Sequence, residues 1–500
     1  MTRISSVGRL VALAAVGVWG FAAPAFDTQT DIVVVGSGGA GLCASLTAAE
    51  GGAKVVLLEK NPFPGGTSNA AEGIFGAETE MQREQLIVNT KDEVFRIEME
   101  ESNHWQGNAP LIRAYINESD QTFSWLRRKQ GVPFVTTGTT APEARGLRTW
   151  HLIEGKGHTL VKVLFGNAKA NQNITIMMQT PGQELIMDGK KVVGVVAKDK
   201  AGKAIRIGAG AVIIATGGYA ENREWVTKYC GDAGAGAAVP FNKTGDGIRM
   251  AMDAGAAVEG MSHMQWFPAA DPRTTPLTVS CLGWQPTNIL VNKRGERFCN
   301  EEILRNFSIA GNAIRRQGFG WSIFDENMRQ HVKKDGPDWG IGVLVQHAIP
   351  IPKLDDDCQT ALKGKNFVEA NSLDELATKM GVPATTLKAT MESYSHAVDA
   401  HYDADFLKPK ELMHKPTGKL YAVKLDPYYL TSLGGVTVNP KLQALDKNWD
   451  VIPGLYVVGN DAVGGLFGDT YPLDVPGTTY GFAVNSGRMA AKAALKALGK

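Results

Sequence analysis

An α/β fold is predicted by three observations near the start of the chain. The run Ile32-Val-Val-Val35 is β-branched, the composition of a strand buried on both faces in a parallel sheet. It leads into Gly36-Ser-Gly-Gly-Ala-Gly41, after which helix-forming residues run from Leu42 to Glu50. A second strand, Lys54-Val-Val-Leu-Leu58, stops at Glu59. A lone G-x-G-x-x-G is weak evidence. With a strand before it, a helix after it and an acid about 20 residues on, it is the fingerprint of a Rossmann-like dinucleotide site. Gly36, Gly38 and Gly41 permit the tight turn and the close approach of backbone to ligand, with Gly39 and Ala40 between them. The helix N-terminus faces the pyrophosphate, and Glu59 is placed for the ribose hydroxyls.

Length and composition bound the rest. Five hundred residues favour two or three compact units over a single core. At 44% hydrophobic and 21% charged, the chain has an ordinary globular composition. A formal net charge of +1, with no long run of one sign, argues against nucleic acid as the main partner. The cysteines Cys43, Cys230, Cys281, Cys299 and Cys358 are widely spaced, without C-x-x-C, so neither attached haem nor an iron–sulfur cluster is expected. Residues 1–25 read as a signal peptide. Arg3 and Arg9 precede an apolar run from Leu10 to Ala23, and Ala23-Pro24-Ala25 is the cleavage site. That run is short against the ~20 residues of a membrane span. The mature chain is therefore expected outside the cytoplasm, without a stable span.

The residues after Glu59 are Lys60-Asn-Pro-Phe-Pro-Gly-Gly-Thr-Ser-Asn-Ala-Ala-Glu-Gly73. With this stretch the chain resembles the fumarate reductase and succinate dehydrogenase flavoprotein family, relatives of which include urocanate reductases and 3-ketosteroid dehydrogenases. The resemblance implies FAD as cofactor, bound by Lys60, Gly65, Gly66, Thr67, Ser68, Ala71 and Gly73. It extends to Ala211-Val-Ile-Ile-Ala-Thr-Gly-Gly218, giving Ala215, Thr216 and Gly217, and to Thr244-Gly-Asp-Gly247, giving Asp246. It closes with Ile452-Pro-Gly-Leu-Tyr-Val-Val-Gly-Asn460, giving Gly459 and Asn460, and with Gly477, Thr478 and Thr479. By the same resemblance the FAD-binding domain is discontinuous, residues 27–265 and 428–500, and residues 266–427 form an inserted α+β capping domain over the substrate. Ser372-Leu-Asp-Glu375 is a capping box opening a helix, and another helix is expected from Ser486 towards Leu498. Gly208-Ala-Gly210 and Gly234-Ala-Gly236 read as loop glycines, so no second dinucleotide fold is expected and NAD(P)H is not the direct donor. An exported flavoenzyme without its own haem then needs a separate electron donor, a cytochrome or a quinol-linked protein, as in anaerobic respiration.

The stretch Ile289-Leu-Val-Asn-Lys-Arg-Gly-Glu-Arg-Phe-Cys-Asn-Glu-Glu-Ile-Leu-Arg305 is similar to the fumarate reductase segment whose arginine delivers a proton to substrate carbon. The resemblance gives Arg305 that role. An arginine suits it because hydride arrival leaves a strongly basic carbanion, which the fixed positive charge also stabilises. Glu301, four residues earlier, would share a helical face with Arg305. Other family groups are replaced: Phe267-Pro268 stands for the histidine–proline pair, Cys281 and Trp284 for the proton relay, and Thr431 for a histidine ahead of Gly434-Gly435. The second carboxylate-clamping arginine is absent from Gly468-Asp-Thr-Tyr-Pro-Leu-Asp-Val-Pro-Gly477. Fumarate is disfavoured. That loop is similar instead to the ketosteroid dehydrogenases, which implies that Tyr471 and Gly477 polarise a carbonyl. Trp266, Phe267, Trp284 and Tyr429 are candidates for an aromatic pocket. His104, His151 and His158 read as structural, and Glu78 to Glu101 as a solvated charged face.

The expected activity is reduction of an activated carbon–carbon double bond in a small α,β-unsaturated carbonyl or aryl-acrylate-like substrate. Two alternatives stay open: a ketosteroid-type dehydrogenase, and an FAD-carrying electron-transfer subunit with no substrate of its own.

Overall fold

The computed structural model describes residues 25–139, 147–232, 234–340 and 345–500. The expected signal peptide lies outside them except for Ala25, and no helix among the described residues is long and apolar enough to cross a membrane.

The fold is mixed α/β. Five parallel strands form the body of the eight-stranded first sheet: β1 (Thr28–Val35), β2 (Val55–Leu58), β3 (Ile174–Met177), β4 (Ala204–Ile214) and β5 (Val451–Val457). Their spatial order is β3-β2-β1-β4-β5, so β1 is central, with Val33 opposite Val56 on one side and Val212 on the other. Being covered on both faces, Ile32 to Val35 are at most 4% exposed, which is why that segment is apolar throughout and not alternating. Gly208 and Gly210, read as loop glycines, lie inside β4, where Phe26 and Leu498 press against them. The sheet takes its last strand, β5, from near the C-terminus, after a long excursion.

Helix α1 (Gly39–Glu50) packs against helix α2 (Thr478–Ala497). Their axes approach closely because a Cβ on Gly487 would lie only 2.1 Å from Ala40 O. Helix α2 starts at Thr478, eight residues before the expected Ser486. The aromatic-rich segment Tyr480-Gly-Phe482 hides the helical pattern, since these residues are used to pack against Phe75 and Tyr115.

A second sheet is built on the long strand Leu420–Ser432. Its first half is flanked by Gly320–Asp325 and Phe367–Ala370, its second half by Met264–Ala269 and Gly236–Ala237. A third, three-stranded sheet joins Gly73–Phe75, Trp150–Ile153 and Phe134–Gly138. At the start of helix Leu373–Met380, Ser372 accepts from Glu375 N at 3.2 Å, but the Glu375 carboxylate turns to Asn371 N and not to Ser372, so the box is half made.

Candidate active site

A cavity opens where the parallel strands end. Val35, Leu58, Ala215 and Val458 bring the carboxyl ends of four strands to it, the place where ligands bind in open α/β sheets. At one bank the glycine turn is folded tightly under α1: a Cβ on Gly41 would sit 1.8 Å from Gly36 O, so only glycine closes this turn. Gly36, Gly38, Gly39 and Ala40 line the cavity, while Gly41 stays beneath them. Helix α1 has Gly38 as its N-cap, no side-chain cap and no acid in its first turn. Its N-terminal N–H groups are thus open to an anion, except that Gly39 N donates to Ser68 Oγ at 2.9 Å.

Glu59 is held rigidly at the end of β2. Its carboxylate accepts from Ser37 Oγ at 2.6 Å, Ser37 N at 3.0 Å and Asn61 N at 2.8 Å, and it lines the cavity. Lys60 donates to Asp246 Oδ2 and Thr244 Oγ1, both at 2.8 Å, tying two expected cofactor residues together. Gly65, Gly66, Thr67, Ser68, Ala71 and Gly73 line the same wall, and the Thr67 hydroxyl is buried without a hydrogen-bond partner. Thr216, Gly217, Gly459, Asn460, Gly477 and Thr479 line the opposite one. Thr478 does not reach the cavity; its hydroxyl donates to Val475 O at 2.5 Å at the start of α2. A chain of small residues, an uncapped helix end, a fixed carboxylate and an orphaned hydroxyl suit a long polar molecule carrying a pyrophosphate.

Sequence reasoning missed the group that joins the two walls. Asp461 is fully buried and accepts from Gly218 N at 2.9 Å, Gly217 N at 3.1 Å, Thr216 Oγ1 at 2.9 Å and Thr216 N. Its position directly after Asn460 was the available signal. Lys243 was also missed. It lines the cavity almost fully buried, donates to Leu430 O at 3.0 Å, and burial lowers its ammonium to about 8, against the pull of Glu221.

At the end bounded by the second and third sheets, the walls are Trp150, Gln265, Phe307, Thr431, Tyr471 and Leu473. The aromatic lining differs from the expected set. Trp266 and Tyr429 pack edge-on in one core cluster, Phe267 packs between Trp284 and Phe307, and none of Trp266, Phe267, Trp284 and Tyr429 lines the cavity. Tyr471 is buried; burial first, and then the Glu98 carboxyl, push its phenol to about 12, opposed by N–H groups of Thr478 and Gly477 and the Thr479 hydroxyl.

Glu301 and Arg305 are not on a shared helical face. The segment Glu301–Arg305 is a 3-10 helix, whose three residues per turn bring i and i+3 together, and Arg305 pairs with Glu302 at 3.5 Å. Glu301 is fully buried in an ion cluster, bound by Arg297 at 2.9 Å and by Lys408 at 3.3 Å, with Asp403 on the other side of Arg297. It is not among the residues that line the cavity. Arg305 is about one-third exposed and stands two residues before Phe307, which does line the cavity.

Two further expectations concern charged residues. His151 is buried, with Nδ1 against Thr149 O at 3.0 Å and Nε2 against Thr79 Oγ1 at 2.7 Å; burial lowers its imidazole to about 4. Glu78 to Glu101 is not wholly a solvated face. The π-helical turn Ile97–Ser102 adds residues to the turn and carries Glu98 inward, to 2% exposure.

The profile of the family described as "FAD binding domain" matches residues 31–474. Over 474 residues the chain is 34% identical to the vinyl phenol reductase of Lactiplantibacillus plantarum, covering 92% of this chain and 94% of that protein. It is 29% identical to the fumarate reductase (cytochrome) of Shewanella frigidimarina, over 93% of this chain and 77% of that one. Among solved structures, the open conformation of a flavocytochrome c3 fumarate reductase superposes with a TM-score of 0.72 at 25% identity, covering 94% of this chain and 79% of that one.

Proposed function

The chain belongs to the FAD binding domain family, and from that premise we propose that it reduces an activated, uncharged or aryl-substituted alkene. Its cofactor is FAD, for which the glycine turn, Glu59, Thr67 and the open end of α1 are suited. Bound and reduced, FAD supplies the hydride. Tyr471 donates a hydrogen bond to the substrate oxygen: hydride addition to an enone, or to the quinone methide that a vinylphenol gives by protonation at its terminal carbon and loss of its phenolic proton, leaves negative charge on that oxygen. Arg305, which stands outside the cavity lining two residues before Phe307, donates the proton to carbon once residues 266–427 close over the substrate. Residues 266–427 close over the bound substrate, and the glycine and small-residue segments 27–265 and 428–500 hold the cofactor. Electrons come from a separate cytochrome or quinol-linked protein, and the chain works outside the cytoplasm.

One observation carries the substrate class. Among the described residues that line the cavity there is no arginine, and its two lysines are already engaged, Lys60 by Asp246 and Lys243 by Leu430 O. A dicarboxylate needs at least two free cationic or forked donors. The aromatic wall of Trp150, Phe307 and Tyr471 instead suits a flat aryl group. The full-length similarity to a vinyl phenol reductase supports the same choice.

A second reading, a dehydrogenase withdrawing hydrogen beside a ketone, draws support from Tyr471 and Gly477 lining one cavity. The deciding experiment is anaerobic stopped-flow absorbance on the reduced holoenzyme mixed with 4-vinylphenol, aryl acrylates, enones and fumarate. Fast flavin reoxidation is expected with vinylphenol or an aryl acrylate, with saturated product recovered, and not with fumarate. Arg305→Ala should slow it by about 10²–10⁴, the usual contribution of a positioned acid. A loss under threefold removes Arg305 from the mechanism. Reduction of the oxidised enzyme by a saturated ketone, with no alkene turned over, replaces the reductase with the dehydrogenase.

A further inference from the structure

Glu98 is a carboxyl group with no visible structural occupation. It is 2% exposed, and neither of its side-chain oxygens has a hydrogen-bond partner. Its turn is closed by its own carbonyl, which accepts from Asn103 N at 3.0 Å. This turn is stitched to the loop that carries Tyr471. Asn108 N donates to Gly465 O at 2.6 Å, and the Asn103 backbone packs against Gly468, where an added Cβ would meet Asn103 Cα at 3.0 Å. From the neighbouring helix Ala109–Ser124, Tyr115 donates to Thr478 O at 3.4 Å.

The titratable groups that face Glu98 are the two phenols, Tyr115 from that helix and Tyr471 from the loop, and the Glu98 carboxyl raises both. No cation among the described residues offsets its burial, which lifts the carboxyl to about 8. At neutral pH the group is therefore an uncharged acid. A methionine or leucine would fill this space without the desolvation that a carboxyl requires, so packing alone does not account for it.

We propose that Glu98 is a positioning residue for Tyr471: as a neutral acid behind the phenol, it keeps that end of the cavity free of negative charge while the substrate oxygen acquires some. This deepens the reading of Tyr471 as the group that polarises the substrate, and rests on it. Once ionised, Glu98 becomes a carboxylate with no counter-ion beside the phenol. It then opposes the charge that Tyr471 is placed to stabilise, and alkene reduction slows.

The test uses the reduced, FAD-loaded full chain and 4-vinylphenol, with reoxidation followed from pH 7 to 9 in wild type, Glu98→Gln and Tyr471→Phe. A single deprotonation centred near 8 lowers the wild-type rate about tenfold across that range. The limb is expected to vanish in E98Q and to vanish in Y471F, where no phenol remains to be positioned. Lys243, whose ammonium titrates in the same range, adds the same background to all three proteins, and the limb that must vanish is the wild-type dependence in excess of that shared background. Infrared spectra of wild type minus E98Q should show a protonated-carboxyl C=O band at pH 7 that is gone by pH 9. The same limb in wild type and E98Q, or its survival in Y471F, overturns the proposal, as does the absence of the band. If E98Q does not retain FAD, the wild-type and Y471F profiles still decide. If vinylphenol reoxidises none of the proteins, the reductase reading fails and takes this proposal with it, an outcome distinct from equal limbs.

Discussion

Asp461→Asn tests whether the cavity's two walls are held by one carboxylate. Oδ2 takes the N–H groups of Thr216 and Gly217, and Oδ1 takes that of Gly218. Burial raises this carboxyl above the ordinary aspartate range, while those N–H groups and the Thr216 hydroxyl work the other way. Four donors and no acceptor converge on it, so the ionised form is the one the site is shaped for. An asparagine keeps one acceptor oxygen. Placed on the Oδ2 side, it leaves Gly218 N facing an amide NH2, and it weakens the remaining bonds by removing their charge. A buried N–H left unsatisfied costs about 1–3 kcal/mol, and with the weaker bonds the total is about 3 kcal/mol. The affected turn lines the cavity through Thr216 and Gly217, and Asp461 itself follows the lining residues Gly459 and Asn460. If the cost falls on holding the cofactor-ready shape, FAD affinity drops about 100-fold. The assay is flavin content after gel filtration, together with the temperature at which flavin fluorescence is released on heating. D461N binding FAD within threefold of wild type, with an unchanged release temperature, would refute the idea that this carboxylate holds the site together.

Gly41→Ala is expected to fold without flavin, because its Cβ would stand 1.8 Å from Gly36 O and must push α1 away from the turn. Absorbance of the purified protein reads this directly, and a normal flavin spectrum would contradict it. His151 should make the fold acid-sensitive. Its imidazole is lowered from 6.5 to about 4, so between those values the unfolded chain binds a proton that the folded one refuses, and stability falls as pH falls through that window. From pH 7 to pH 5 this amounts to about 2 kcal/mol, measured as the part of the change in urea-unfolding free energy that His151→Gln removes. An identical pH dependence in H151Q would show that the buried ring carries a proton in the fold.

What could be read from the sequence was whatever repeats along the chain or sits inside one motif. The α/β class, the glycine turn, Glu59 and the small-residue segments around Gly65, Ala215 and Gly459 are local patterns, and nearly all of them line one cavity. Trp150, Gln265 and Thr431 come from three separate strands in two sheets, and no spacing connects them until both sheets meet at the cavity. Local rules also misled where backbone geometry changed. The four-residue spacing of Glu301 and Arg305 assumed an α-helix, and a 3-10 turn sent Glu301 into the buried cluster with Arg297. Glu98 is the sharper case. In sequence it is one acid among many in a charged stretch, and that composition marks a solvated face wherever the helix keeps its regular period. A π-turn breaks the period, and the loop bearing Tyr471, contributed from far along the chain, packs on that turn where Gly468 meets Asn103. The chemistry of a carboxyl is fixed by its type, but whether it is charged is fixed by what encloses it. That is decided by tertiary contacts, so charge state is the property of this site that sequence patterns are least able to report.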